Sequence, residues 1–268
     1  MKAIFTSILA IICVVILILG NIHWGNKTEI KAENNTASAS ETPPVNENTE
    51  EDIEQADPSQ LEELLSLATN WPEESQVQLQ EALEAKKPFK ILFVGSDSLG
   101  EGENSWPSIL EQRLTEAYGG IFTFNTFIYD LNTKEFIEEN KQEELAKEKA
   151  DLILFEPLVL RDNGEVVIET SLEYIGTIMD DVKSKKPTTT FILQPPHPIY
   201  NAGFYNVQVG ALQDYAEGNG IPYLNHWEAW PETTSTEIQE YLVTNPSGPN
   251  EKGHELWAEH LAKYFIAE

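Results

Sequence analysis

Cysteine is almost missing: Cys13 is the single one in 268 residues, and it lies within an apolar N-terminal run. The rest of the chain can therefore build neither a disulfide framework nor a thiolate metal site, and thiol redox chemistry is excluded. Basic residues are also scarce. Seventeen Lys and Arg stand against 45 Asp and Glu, a net charge of -28, and that field repels polyphosphates and anionic headgroups, so nucleic acid is not an expected partner. The five histidines include no HxxxH pair, so neither a metal nor another cofactor is expected. Large apolar side chains are rare over residues 26–57, where Glu, Asn, Ser, Thr and Pro dominate. Such a stretch buries too little surface to offset its ordering, and it reads as a disordered acidic linker.

What is present begins with residues 3–20, an uncharged apolar stretch. As a helix it spans about 27 Å, close to the hydrocarbon thickness of a bilayer. Trp24 follows where an interfacial aromatic belongs, and no small-x-small cleavage site precedes it. Residues 1–25 are thus expected to be a single-pass membrane anchor, with the body of the protein on the extracytoplasmic side.

From residue 58 onward the pattern is that of one α/β domain. Leu61, Leu64, Leu65 and Ala68 fall at helical spacing, and a second helical stretch follows Trp71-Pro72. Apolar strand-like runs at 89–94, 121–128, 151–155, 188–193 and 222–224 then alternate with helical stretches at 106–118, 134–150, 172–185 and 207–218, and a last helix covers 250–265. Strand, helix, strand repeated in this way implies a five-stranded parallel sheet with helices on both faces, and ligands bind such sheets at the carboxyl ends of the strands. The Asp162-Asn163-Gly164 turn signal between two apolar runs predicts a small hairpin over residues 158–169.

Just after the first strand-like run comes Gly95-Ser96-Asp97-Ser98-Leu99-Gly100, and near the C-terminus Pro249-Asn250-Glu251-Lys252-Gly253-His254 opens the last helix. The two blocks resemble the first and last conserved blocks of the SGNH, or GDSL, hydrolase superfamily. The resemblance implies a three-layer, flavodoxin-like fold and a nucleophile at Ser98. The departures are specific. Ser96 stands where the family has Gly, the positions of the family's catalytic Asp and His are Asn245 and Gly248, no glycine occurs between Gly120 and Gly164 to supply the second block, and Arg161 stands at the Asn of the third block with Asn163 displaced by two.

A serine hydroxyl is a weak nucleophile until a base takes its proton, so another histidine must serve. His197 and His226 follow the fourth and fifth strand-like runs at the same sheet edge as Ser98. His254 lies in the first turn of the last helix, where the dipole favours a neutral ring. Spacing does not select among them. Nor does it choose the carboxylate that would orient the ring from Asp97, Glu156 and Glu228. Trp227 and Trp230, with Tyr200, are placed to stack on a sugar or other partly apolar ligand, and Asp97, Leu99, Asn163 and Asn250 complete the candidate binding and oxyanion set. The resemblance implies an ester hydrolase or acyl transferase, plausible for an acylated envelope glycan or a small-molecule ester, with backbone N–H groups around Ser98 and Leu99 at the oxyanion. The lost Asp and His positions favour a rival, a degenerate carbohydrate-binding or scaffolding module.

Overall fold

The computed structural model describes residues 58–243 and 248–268. The expected anchor at 1–25, the expected linker at 26–57 and Asn245 lie outside the described residues. Among the described residues no helix is long and apolar enough to cross a membrane.

Two helices open the domain, α1 (Pro58–Leu67) and α2 (Glu73–Glu84), the second started by Pro72 and two acidic residues in its first turn. Four parallel strands follow: β1 (Phe89–Gly95), β2 (Phe122–Ile128), β3 (Leu152–Phe155) and β4 (Thr190–Leu193), in the order β2-β1-β3-β4. The fifth strand expected at 222–224 shrinks to a single parallel bridge, Leu193 to Tyr223. Its run is three residues long and begins with Pro222, which has no N–H to continue a ladder.

Between the strands run α3 (Trp106–Tyr118), α4 (Thr133–Glu138), α5 (Lys141–Glu148), the single turn α6 (Val159–Asp162), α7 (Ile168–Lys185) and α8 (Gly203–Gly218), and α9 (Glu251–Phe265) ends the fold. The long helix read over 134–150 is two helices, because Asn140 takes a left-handed φ of 58°. Side chains alternate across the buried strands. Ile91, Phe93, Leu152, Leu154 and Ile192 pack with α3 and α9, whereas Leu92, Val94, Ile153, Phe155, Phe191 and Leu193 pack with the helices of the opposite layer. Burial on both faces is what makes these strands read as unbroken apolar runs.

The hairpin expected over 158–169 is absent; the segment is α6, followed by a turn through Gly164. Buried Asp162 decides this. Its carboxylate accepts bonds from the Thr133 N–H at 2.7 Å, from Thr133 Oγ1, and from the Ser171 hydroxyl, so it knots the start of α4 to α7. Burial raises its pKa against these bonds. Asp162→Ala should cost about 3 kcal/mol by leaving the Thr133 N–H buried without an acceptor. A urea titration checks this, and a change under about 1 kcal/mol would contradict it.

Candidate functional site

The sheet order reverses between β1 and β3, and the crevice outside the carboxyl ends at such a switch point is where α/β sheets bind ligands. Here β1 leads into one 3-10 turn, Asp97–Leu99, capped by Ser96, whose Oγ accepts the Ser98 N–H at 3.2 Å. Leu99 anchors the turn in the core, and its N–H donates to the Ser96 carbonyl at 3.1 Å. Both amides that the sequence assigns to an oxyanion are therefore engaged within the turn.

The turn leaves no room for side chains at its two glycines. A Cβ on Gly95 would fall 2.6 Å from Glu156 Oε2, and one on Gly100, already at a left-handed φ of 73°, would fall 2.6 Å from the His254 ring.

From β4 the chain runs Gln194-Pro195-Pro196-His197-Pro198. The three prolines fix φ and offer no N–H. Each intervening carbonyl is held by a side chain: Pro195 by His226 Nε2–H at 2.8 Å, Pro196 by Trp227 Nε1–H at 2.6 Å, and His197 by the Tyr205 hydroxyl at 2.9 Å. This pinned segment sets His197 Nδ1 at 2.8 Å from Ser98 Oγ. Both side chains are deep, with Ser98 and His197 each 1% exposed. Burial, helped by nearby His254, pushes the His197 pKa down to about 4, so the ring is neutral at pH 7, and in the tautomer that carries its proton on Nε2 its Nδ1 can accept the serine proton. Its Nε2 has no hydrogen-bond partner.

The other two histidines are held elsewhere. His226 is fully buried and stacks on Trp257 at 3.7 Å. Trp230 Nε1 can only donate, so its 3.1 Å contact makes His226 Nδ1 an acceptor and places the ring proton on Nε2, facing Pro195. Both nitrogens are thus used in structure. Half-buried His254 accepts the Trp106 N–H at 3.4 Å through Nδ1, and burial lowers its pKa to about 4.

The three carboxylates also separate. Asp97 and Asp130 share Arg161, at 2.8 and 2.7 Å. Glu228 is exposed. Glu156, fully buried, turns towards Ser96: it accepts the Ser96 N–H at 2.9 Å, and its oxygens lie 2.9 and 3.1 Å from Ser96 Oγ, which in turn lies 3.0 Å from Ser98 Oγ. Burial raises the Glu156 pKa well above the usual carboxylate range, outweighing its bonds to Ser96.

Of the remaining candidates, Asn250 caps α9 by accepting the N–H groups of Lys252 and Gly253, and Asn163 is exposed beyond α6. Trp230 is buried against Tyr241, and Trp227 is half-buried against Tyr205. Gly248 holds the Val243 N–H through its carbonyl and has no side chain to offer a proton. Sequence reasoning did not foresee the roles of Ser96, Gln194 or Tyr205. The usable signals were a hydroxyl at a glycine position and a histidine flanked by prolines at a strand end.

No family model matches the sequence, and no curated protein does. Solved structures do. A protein described as a GDSL-like lipase, from Parabacteroides merdae, matches with TM-score 0.56 at 13% identity, covering 67% of this chain and 96% of its own. One described as a lipolytic protein of the G-D-S-L family, from Desulfitobacterium hafniense, matches with TM-score 0.52 at 20% identity, covering 65% and 98%. A catalytic mutant of Axe2, an acetylxylan esterase from Geobacillus stearothermophilus, matches with TM-score 0.54 at 16% identity, covering 67% and 94%. At these identities the likeness is one of fold.

Proposed function

We propose that this chain, whose fold is that of the SGNH/GDSL hydrolases, is a serine ester hydrolase working through a Ser98–His197 dyad. The observation that carries the reading is the 2.8 Å contact between the Ser98 hydroxyl and a neutral imidazole. In the reaction the Ser98 proton moves to His197 Nδ1 as Oγ bonds to the acyl carbon and the carbonyl electron pair shifts to oxygen. The Ser98 N–H, on the residue that carries the nucleophile, can leave its 3.2 Å bond to Ser96 and meet that oxyanion. Collapse expels the alcohol, which takes the proton from Nδ1. Water then repeats the sequence and frees the acid; if a second alcohol replaces water, the same steps transfer the acyl group.

The base differs in position from the one the family resemblance implies, which would fall at Gly248. It follows β4 and presents Nδ1, and no carboxylate is bonded to its other nitrogen. The substrate class we propose is an acylated glycan of the cell envelope, reached by a domain held outside the membrane through residues 1–25. Two features support this: the acetylxylan esterase among the fold relatives, and the uncharged run at 3–20.

One observation favours a second reading, a glycan-binding or scaffolding module without turnover. Ser98 and His197 are almost fully enclosed, while a surface groove of about 890 Å³ lies elsewhere, lined by residues such as Gln78, Met179 and Phe191. A serine-directed fluorophosphonate probe separates the two. Ser98 should be labelled within minutes, with label lost in Ser98→Ala and in His197→Ala; an intact protein that stays unlabelled would support the binding module.

A further inference from the structure

Ser96 stands where the SGNH resemblance implies glycine, and its hydroxyl occupies the centre of a buried chain of oxygens. On one side are the two Glu156 oxygens, at 2.9 and 3.1 Å; on the other is Ser98 Oγ, at 3.0 Å. The Ser98 N–H also points to Ser96 Oγ. A hydroxyl has one proton to give and two lone pairs to receive. With His197 Nδ1 as the acceptor of the Ser98 proton, one arrangement bonds Ser96 Oγ to Glu156, to the Ser98 N–H and to Ser98 Oγ at once, while Glu156 Oε2 accepts the Ser96 N–H. Glu156 is a neutral acid whose O–H donates to Ser96 Oγ, the Ser98 N–H fills the second lone pair, and the Ser96 proton donates to Ser98 Oγ. With Glu156 ionised, the Ser96 proton turns to the carboxylate, and Ser96 Oγ becomes a rival to His197 as acceptor of the Ser98 proton.

Among the described residues no cation is bonded to Glu156. Arg161, the nearby guanidinium, is paired with Asp97 and Asp130. A fully buried carboxyl without a bonded cation favours its neutral form.

We propose that Glu156 and Ser96 form a positioning relay, carboxylic acid to hydroxyl to the Ser98 oxygen, that leaves the Ser98 proton only His197 as its acceptor. The inference rests on the Ser98–His197 reading and adds to it. The relay gives up no proton: as Ser98 Oγ attacks, the single proton transferred goes to His197 Nδ1, and the Ser96 bond to Oγ strengthens while negative charge builds there. Gly95 serves the same device, since a Cβ at that position would occupy the space of the Glu156 carboxyl.

The experiment compares kcat and KM for 4-nitrophenyl acetate on the full chain carrying Ser96→Ala, Glu156→Gln or Glu156→Leu. Glutamine keeps a neutral donor beside an acceptor, so Glu156→Gln should retain kcat within about threefold. Ser96→Ala and Glu156→Leu should each lower kcat about tenfold or more, with KM within twofold. Wild-type kcat in Ser96→Ala would overturn the relay, and so would a Glu156→Gln loss as large as that of Glu156→Leu. Absence of Ser98-dependent turnover in the wild type would instead remove the hydrolase reading beneath it. A readout independent of turnover is the infrared difference between wild type and Glu156→Gln at pH 7. A protonated-carboxyl stretch belonging to Glu156 supports the relay; a carboxylate band in its place overturns it even if Ser96→Ala or Glu156→Leu fails to fold.

Discussion

Alanine at Ser98 or at His197 is expected to lower kcat/KM for an activated acetyl ester by about 10³-fold or more, and the double variant should be no worse than either single one. The magnitude follows from what a positioned general base supplies, about 10²–10⁴-fold, added to the loss of the covalent route. The lack of additivity follows because the two side chains act as one unit through a single proton. A companion expectation concerns pH. His197 is lowered to about 4 in the folded protein. Its basic form therefore fills as pH rises through about 4, and kcat/KM should climb there and stay flat from about pH 5 to 8. An inflection near the ordinary imidazole value of about 6.5 would show that a different, solvated histidine is the base. Circular dichroism at pH 4 separates loss of the base from loss of the fold.

The turnover itself should be modest. The His197 Nε2 lacks a partner, so the imidazolium formed during attack has no carboxylate beside it. In serine proteases, replacing the triad aspartate by its amide lowers kcat by about 10⁴. We expect a rate well under the enzyme median of about 10 s⁻¹.

Trp257→Ala is expected to lower stability by about 4 kcal/mol or more, a fall of roughly 10 °C in Tm. Trp257 is fully buried, stacks on both His226 and Trp106, and donates from Nε1 to Gln194 Oε1 at 3.0 Å. Truncation opens a cavity and also strips Gln194 of its one side-chain bond, since its Nε2 is already unpartnered. Trp257→Phe should recover a good part of the loss by refilling the stack without restoring the N–H. Urea denaturation followed by fluorescence measures both, and an alanine variant within about 1 kcal/mol of wild type would sink the claim.

The sheet was legible because strands buried on both faces read as apolar runs, and β1 and β3 lie within a residue of where those runs fall; β2, a partly exposed edge strand, falls as close to its run. The fifth strand was overcalled because composition does not count ladder donors, and Pro222 has none. The Asn163-Gly164 pair suggested a hairpin, but the partner that holds α6 is Thr133, about thirty residues upstream, and no local pattern reports it. The same limit governed the site. Ser98 could be placed from its turn, whereas choosing among His197, His226 and His254 needed to know which ring nitrogens the core had already claimed. Trp230 and the Pro195 carbonyl claim both of those on His226. Ser96 was visible as a departure, yet its meaning came only with Glu156 arriving from β3.

The segment carrying His197 hangs from three side chains: His226 and Trp227, neighbours on one 3-10 turn, and Tyr205, whose ring packs against Trp227. Any lesion that loosens one of them by a fraction of an ångström retunes the serine contact while the fold stays intact. Esterase turnover would then act as an early gauge of damage to the interior, failing at temperatures or denaturant levels where spectroscopic signals of unfolding have yet to move.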